Sequence, residues 1–383
     1  MTPQLTGTDT VHMRRALELA GGGRGRVSPN PLVGAIVVRD GETIGEGFHA
    51  ELGGLHAERA ALEDCRRRGE DPAGATMHVT LEPCAHQGRQ PPCTEAIVEA
   101  GIARVVIASP DPSEKASGRG PEILREAGIE VVDFEGEETE TARRLNQPFR
   151  KHARTGKPLV TLKMAMSLDG RTSTAAGDSP WLSGEESRAL VHRWRAESDA
   201  VAVGIGTVLA DDPLLTAREV EASRQPARVV FDRSARLPLD SQLLRSLEQA
   251  GVIVIAGQEA EPAAIDRRRD AGADVIVADG ITAALAALGS RHITSLFLEG
   301  GRALAAAFVA AGEVDEARTF VAPILLGGVD SRPGARGEGG VEDDPPRSAP
   351  PPPVMGPARR SALTSRVETI GDDVLITSRF REW

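Results

Sequence analysis

The chain has 383 residues, of which 40% are hydrophobic, and this is enough for two or three domains with sizeable cores. Its formal net charge of −11 argues against a nucleic-acid partner, because binding to a phosphate backbone needs a basic face. Three cysteines are too few for a disulfide framework, and we see neither a secretory leader nor an apolar run of transmembrane length, so we expect a cytoplasmic protein with no membrane contact.

The first part of the chain alternates helices and strands. We expect a helix near residues 10–21, then a hairpin with strands at 32–38 and 43–48, then a helix that begins at His56. Asp40 and Gly41 join the hairpin strands, and this pair favours a tight turn. The later elements predicted here are strands at 76–80, 105–108 and 129–132 and helices at 93–100 and near 120–127. The alternation predicts an α/β domain of three layers.

Two short clusters within this part predict a zinc-dependent deaminase. His56, Cys84 and Cys93 supply three ligands of the kinds that zinc prefers, which leaves the fourth position for water. The metal lowers the pKa of that water to about 7 and so provides hydroxide at neutral pH. Glu58 lies two residues after His56, and we expect it to carry the proton to the departing amine without being a ligand.

Simpler interpretations exist for each of these residues. A lone buried cysteine is usually a small hydrophobic residue, and a histidine often only donates a hydrogen bond in a core. A structural zinc site would need a fourth ligand, for which His49 and His86 are the local candidates. The third cysteine, Cys65, falls in the predicted helix, and we interpret it as a packing residue. The residues between Cys84 and Cys93, 85–92, exceed the two that separate the cysteines in the general deaminase signature.

A polar, basic segment at 145–158, punctuated by Gly and Pro, separates the two halves of the chain. We therefore predict a first domain at 1–147, a linker at 148–158 and a second domain at 159–383.

The second domain begins with an apolar strand at 159–165. Further on, an apolar strand runs into Gly300 and Gly301 and then into an alanine-rich helix, whose first-turn amides can hold a phosphate group. This is a dinucleotide site without the Rossmann motif, because the glycines at Gly204 and Gly206 lack the rest of that pattern. A Gly- and Pro-rich stretch at 327–357 predicts a disordered insertion before strands at 365–368 and 373–377.

Over nearly the whole chain, these motifs resemble those of the RibD family, the bifunctional deaminase-reductases of riboflavin biosynthesis. The matching blocks are 13–20, 28–35, 45–49, 56–58 and 80–93 in the first domain and 166–171, 179–181, 206–213 and 297–304 in the second. The long segment between Cys84 and Cys93 is a mark of that family. The chain departs from it at Ser113 and Glu114, where the family usually has Asn and Pro, and this changes the turn chemistry of a loop that would border the deaminase pocket.

The resemblance implies a cytidine-deaminase-like first domain that holds Zn²⁺ and a dihydrofolate-reductase-like second domain that uses NADPH. The implied reactions are hydrolytic deamination of 2,5-diamino-6-(5-phosphoribosylamino)pyrimidin-4(3H)-one to 5-amino-6-(5-phosphoribosylamino)uracil, followed by reduction of the ribosyl group to ribityl. The substrate is thus a phosphorylated pyrimidine, and a homo-oligomer is implied as well.

The resemblance also implies contact residues. Those expected at the cofactor are Ala165, Trp181, Thr207, Asp211, Leu215, Arg233 and Gly301. Those expected at the substrates are Asn30, Ser179, Arg195, Arg218 and Glu299. Arg195 and Arg218 suit this role, because two guanidinium groups can clamp a phosphomonoester. Lys163 and Asp169 are further candidates near the reacting centre.

Arginines after the predicted strand at 228–231 bear on the choice of cofactor. Arg233 or Arg236 could bind an adenosine 2′-phosphate, which favours NADPH over NADH. Both could equally be ordinary solvated charges. Asn30 has a similar alternative as a turn residue between two prolines.

Two other functions stay open from the residues alone. A stand-alone deaminase of a free nucleoside or base, with a regulatory nucleotide-binding C-terminal module, would release ammonia without oxidising NADPH. A zinc-stabilised scaffold would have no activity to lose when Glu58 is replaced by Gln.

Overall fold

The structure is a computed structural model that describes residues 5–87, 90–113, 118–172, 182–327 and 361–383. The chain forms two compact units, the first comprising Met1–Leu159, Leu288–Thr294 and Trp383 and the second Val160–Ala287 and Ser295–Glu382. Among the helices in these described ranges, none combines the length and the apolar character needed to cross a membrane.

The first unit is built on a five-stranded sheet with the strand order β2-β1-β3-β4-β5. Its elements are α1 (Gly7–Gly21), β1 (Gly34–Arg39), β2 (Glu42–Phe48), α2 (Ala57–Arg68), β3 (Thr76–Val79), α3 (Cys93–Glu99), β4 (Arg104–Ile107), α4 (Arg119–Glu126), β5 (Glu130–Asp133), α5 (Glu137–Leu145) and α6 (Gln147–Thr155). Strand β1 is antiparallel to β2 and β3, and β3, β4 and β5 are parallel. The predicted order of helices and strands is confirmed, and both Asp40 (φ 51) and Gly41 (φ 84) have the positive φ of a tight hairpin turn.

Helices α1 and α2 pack against β1 and β2 at glycines. A Cβ added to Gly34 would lie 2.0 Å from the carbonyl oxygen of Ala16, and one added to Gly47 would lie 2.3 Å from the amide nitrogen of Ala61. No side chain fits at such distances, so the sequence allows the helix backbones to approach the sheet directly. This contact fixes the position of α2, which carries Glu58.

Helix α6 occupies most of the segment that we predicted to be a linker, 148–158. Its Arg150 and Lys151 are 4% and 1% exposed. Arg150 donates hydrogen bonds to Ser109 Oγ (3.2 Å) and to the Pro110 carbonyl oxygen (3.2 Å), and Lys151 Nζ lies 5.4 Å from the centre of the Trp383 ring. The basic composition was typical of a linker, but acceptors and an aromatic ring compensate the buried cations here. The domain limits 1–147 and 159–383 stay predictions.

The second unit is built on a nine-stranded sheet with the strand order β10-β9-β8-β7-β11-β6-β12-β14-β13. The elements from here on are β6 (Leu159–Ser167), α7 (Glu185–Glu197), β7 (Ala200–Gly204), α8 (Ile205–Asp211), β8 (Ala227–Phe231), α9 (Gln242–Arg245), β9 (Val252–Ala256), α10 (Pro262–Asp270), β10 (Asp274–Val277), α11 (Gly280–Gly289), β11 (Ser295–Leu298), α12 (Arg302–Ala311), β12 (Glu316–Ala322), β13 (Thr364–Ile370) and β14 (Asp373–Arg379).

Most of this second sheet is parallel. Strands β10, β9, β8, β7 and β11 pair with one another in parallel, and β6 pairs in parallel with β12, which is antiparallel to β14. Strands β13 and β14, which include the two strands predicted at 365–368 and 373–377, form an antiparallel hairpin. Apart from Gly327, the insertion predicted at 327–357 lies outside the described residues.

Candidate active sites

The three predicted zinc ligands meet where two helices begin. His56 is the N-cap of α2, Cys93 is the first residue of α3, and Cys84 follows β3 on a loop. Their donor atoms lie within 4.8 Å of one another, with His56 Nδ1 3.6 Å from Cys84 Sγ and 3.3 Å from Cys93 Sγ. Tetrahedral zinc, with bonds of about 2.0 Å to nitrogen and about 2.3 Å to sulfur, needs nitrogen-to-sulfur separations of about 3.5 Å. The three side chains therefore fit this metal.

The two thiols of this cluster differ in acidity. Hydrogen bonds from the Cys93 thiol and from His56 lower the pKa of Cys84 to about 4, while the hydrogen bond to Cys84 and burial raise the pKa of Cys93. The two shifts are opposite because one proton lies between the sulfur atoms. A divalent cation takes the place of such a proton and leaves two thiolates, so the chemistry of the donor set also fits a metal.

Glu58 lies beside the cluster inside α2 and is only 4% exposed. Cys84, His56 and Cys93 are the neighbouring groups that act on the protonation of its carboxyl group. Burial, together with the charge of Cys84, raises the pKa of Glu58 to about 7. A carboxyl group that titrates near neutral pH can both take up and release a proton, which is what general acid–base catalysis requires.

His49 orients Asn30 at the edge of this site. His49 Nδ1 donates to the carbonyl oxygen of Leu55 (2.9 Å), and Nε2 accepts from the side-chain amide of Asn30 (3.1 Å). Burial lowers the pKa of His49, and the neutral ring has the one donor and one acceptor that these bonds use. Both ring nitrogens thus have partners, so His49 is not available as the fourth ligand that we considered. Sequence reasoning missed this pair, because only the fold brings residues 30 and 49 together.

A second residue that sequence reasoning missed is Glu82, just before the Cys84 loop. Its buried carboxylate accepts hydrogen bonds from the amides of Asp111 (3.2 Å) and Gly120 (3.4 Å). The Asp111 side chain in turn accepts from the amide of Ser113 (2.8 Å), so a side-chain turn forms where the chain departs from the family pattern. Glu114, the other departure, lies outside the described residues.

In the second unit, predicted cofactor contacts gather at one edge of the sheet. Strands β8, β7 and β11 are adjacent and parallel, so their carboxyl ends lie together. Thr207 lies on α8 after β7, and Gly301 is the N-cap of α12 after β11. A Cβ on Gly301 would lie 3.9 Å from Thr207 Oγ1, so these two residues meet. Nucleotides commonly bind at the carboxyl ends of parallel strands.

Predicted substrate contacts form a second cluster in this unit. Arg195 on α7 makes a bidentate ion pair with Glu299, with distances of 2.6 and 3.0 Å. Arg195 also donates to the Thr216 carbonyl oxygen (3.1 Å), and Arg218 donates to Thr216 Oγ1 (3.2 Å). Thr216 was missed, because a backbone carbonyl gives no sequence signal. Burial lowers the pKa of Lys163 on β6, which also lies within electrostatic reach of Glu299 and Arg195.

The remaining predicted contacts are more scattered. Ala165 lies on β6, Asp211 ends α8, and buried Leu215 has a φ of 56°. Arg233 follows β8 and is exposed, and its carbonyl oxygen accepts from the amide of Gly257. Asp169 accepts from the amides of Leu326 (3.2 Å) and Gly327 (3.1 Å). Ser179 and Trp181 lie outside the described residues.

Comparisons with known proteins cover the chain almost end to end. The family model of the cytidine and deoxycytidylate deaminase zinc-binding region matches residues 6–109, and that of the RibD C-terminal domain matches residues 158–350. The riboflavin biosynthesis protein RibD of Actinobacillus pleuropneumoniae is 40% identical over 377 residues, which is 97% of this chain and 95% of the relative. That of Escherichia coli is 40% identical over 339 residues, 83% of this chain and 89% of the relative.

Solved structures agree with these matches. A structure of Acinetobacter baumannii RibD is 38% identical, covers 98% of this chain with 99% of its own, and has a TM-score of 0.80. The diaminohydroxyphosphoribosylaminopyrimidine deaminase/5-amino-6-(5-phosphoribosylamino)uracil reductase of Thermotoga maritima is 37% identical with the same coverage and a TM-score of 0.80. The chain therefore belongs to the RibD family of riboflavin biosynthesis, as a bifunctional enzyme with a zinc-binding deaminase domain and an NADPH-dependent reductase domain.

Proposed function

We propose that this chain deaminates 2,5-diamino-6-(5-phosphoribosylamino)pyrimidin-4(3H)-one at the His56, Cys84 and Cys93 cluster and then reduces the ribosyl group of the product to ribityl with NADPH. The observation that carries the proposal is the fit of these three donors to tetrahedral zinc beside a buried carboxyl group, Glu58. The name of the Thermotoga maritima relative supports both halves of the reaction.

In the first unit, each residue of the site has a defined task. His56, Cys84 and Cys93 would hold zinc, which when bound supplies a Lewis acid that provides hydroxide at neutral pH. Glu58 takes up the proton released when water adds to the ring carbon that bears the amino group, and delivers it to the departing ammonia.

Asn30 would orient the pyrimidine at this site. Its amide nitrogen donates to His49 Nε2, and His49 is itself anchored on the Leu55 carbonyl oxygen. The Asn30 side chain is therefore held by a buried partner, and its oxygen is the group that we assign to accept a hydrogen bond from the ring.

In the second unit, NADPH when bound supplies the hydride that reduces C1′ of the ring-opened sugar. The amides at the start of α12, after Gly301, would hold a cofactor phosphate, next to Thr207. We assign Ala165, Trp181, Asp211 and Leu215 to the same cofactor and exposed Arg233 to its 2′-phosphate.

Arg195 and Arg218 would have different roles in binding the phosphorylated substrate. Two nitrogen atoms of Arg195, Nε and Nη2, donate to the two carboxylate oxygens of Glu299. We therefore assign Arg195 to orient that carboxylate toward the substrate. Arg218, which rests on Thr216, is the guanidinium that we assign to the substrate phosphate, together with Ser179. The cytoplasmic location and a homo-oligomeric state remain predictions.

The test follows both reactions in one sample. Purified zinc-loaded protein receives the diaminopyrimidinone ribotide and NADPH, and ammonia release and nicotinamide absorbance are recorded together. We expect ammonia first and NADPH oxidation second, and loss of both in Glu58→Gln, which still oxidises NADPH when the deaminated intermediate is added. Ammonia release without any NADPH oxidation, even from added intermediate, would instead make the C-terminal half a regulatory nucleotide-binding module.

A further inference from the structure

Arg59 connects α2 with the segment that carries the ligand Cys93. Its Nη2 donates a hydrogen bond of 3.0 Å to the carbonyl oxygen of Pro92. Pro92 is the N-cap of α3 and makes no side-chain capping bond, and Cys93 is the first residue of that helix. The guanidinium of Arg59 therefore holds the backbone directly before the ligand.

A second set of hydrogen bonds joins Cys84 to Cys93 and Thr94, on the two sides of the segment 85–92. The amide and the hydroxyl group of Thr94 donate to the carbonyl oxygen of Cys84 at 3.3 and 3.4 Å, and the amide of Cys93 donates to Cys84 Sγ at 3.4 Å. These bonds fix Cys93 relative to Cys84, and the His56 ring touches both sulfur atoms. The bond from Arg59 adds a link between the backbone before Cys93 and α2, because Arg59 and His56 belong to the same end of that helix.

Arg59 differs from the other arginines of its helix. Arg66, Arg67 and Arg68 are largely exposed and pair with Glu63 or Asp64. Among the ion pairs described for the chain, Arg59 has none, and its Nε is buried without a hydrogen-bond partner in the described structure. A buried guanidinium nitrogen without a partner is unfavourable, so a surface pairing or simple solvation does not account for the place of this side chain.

We propose that Arg59 is a positioning residue of the deaminase site, which acts through Pro92 to hold Cys93 at the distance from His56 that zinc requires. The proposal rests on the proposed role of Cys93 as a zinc ligand. Partners behind the ligands of a metal typically change its affinity by about 10-fold to 100-fold when they are removed. Removing the Arg59 donor should therefore weaken zinc binding by about tenfold.

Three variants of full-length protein test this on the metal itself. Arg59→Met keeps the length of the side chain without a donor, Arg59→Lys keeps one charged donor, and Arg66→Met removes an exposed arginine of the same helix. Zinc affinity is measured by competition with a chromophoric chelator, and the site geometry by the thiolate-to-metal absorption of the cobalt-substituted protein. Thermal unfolding of the metal-free forms reports on the fold separately.

We expect about tenfold weaker zinc binding and an altered cobalt spectrum in Arg59→Met, partial recovery in Arg59→Lys, and wild-type behaviour in Arg66→Met. Wild-type zinc affinity and an unchanged cobalt spectrum in Arg59→Met would overturn the proposal. The proposal would also fail if the zinc affinities of the three variants simply ranked in the order of their metal-free unfolding temperatures. If the unchanged protein itself bound no zinc, the proposed function would fail, and that result is distinct from either outcome.

Discussion

Asp9, His78 and Arg104 form a buried ionic cluster that joins α1 to strands β3 and β4. Asp9 Oδ1 lies 2.8 Å from both His78 Nε2 and Arg104 Nη1. Burial opposes the charge on Asp9, but hydrogen bonds from Arg104, Thr6 and His78 hold its pKa well below the usual range. Burial lowers the pKa of His78 to about 4 despite the contact with Asp9, since Arg104 already compensates that carboxylate.

These shifts predict an acid-sensitive first unit. Above pH 6.5, His78 is neutral in both the folded and the unfolded chain. As the pH falls toward 4, only the unfolded chain binds the proton, so the free energy of unfolding falls by up to about 3 kcal/mol. Asp9, whose pKa is lowered, adds a loss below about pH 3.9. Gln at position 78 keeps a donor for Asp9 but does not titrate. We therefore expect the urea-unfolding free energy of His78→Gln to depend less on pH between 6.5 and 4, and an unchanged slope would exclude this cause.

At the scale of elements, the glycines of β2 control where α2 sits. A Cβ on Gly47 would lie 2.3 Å from the amide nitrogen of Ala61 and 2.7 Å from the carbonyl oxygen of Ala57. Gly47→Ala must therefore push away the helix that carries His56 and Glu58. We expect a loss of about 1–3 kcal/mol in unfolding free energy and weaker zinc binding.

The matched control for that substitution is Gly7→Ala at the start of α1, where a Cβ meets nothing within 4 Å. Its effect on unfolding free energy should stay within about 0.5 kcal/mol. Urea titration and zinc content after dialysis measure both properties. Equal stability and equal zinc content in Gly47→Ala and Gly7→Ala would show that α2 can shift without disturbing the site.

The elements show what a sequence can and cannot predict. Local patterns were sufficient for the order of helices and strands and for the hairpin turn at Asp40, because each depends on residues close in sequence. They also pointed to His56, Cys84 and Cys93, whose donor atoms the structure brings together as a group that could hold a metal. The pairing of Arg195 with Glu299 joins residues 104 apart, and the bonds from Arg59 to Pro92 and from Asn30 to His49 likewise depend on packing. The buried place of Arg150 on α6 could not be predicted for the same reason, because its partners, Ser109 and Pro110, are distant in sequence.

At the scale of the whole molecule, the two chemistries belong to separate units. All three donors of the metal cluster lie in the first unit, together with Glu58 and Asn30. The residues assigned to NADPH and to the sugar phosphate lie in the second unit. Each activity should therefore be removable without the other.

Zinc removal provides the direct test of this separation. Dialysis against a chelator should abolish ammonia release from the diaminopyrimidinone ribotide, because His56, Cys84 and Cys93 then hold no Lewis acid. NADPH oxidation should continue at the original rate when 5-amino-6-(5-phosphoribosylamino)uracil is supplied directly. The reciprocal variant, Arg218→Met, should raise the KM of that second step about tenfold or more through loss of a charged hydrogen bond to the phosphate, and leave ammonia release unchanged. If the chelator slowed both reactions equally, zinc would be needed for the fold of the whole chain, and the assignment of the metal to one chemical step would be wrong.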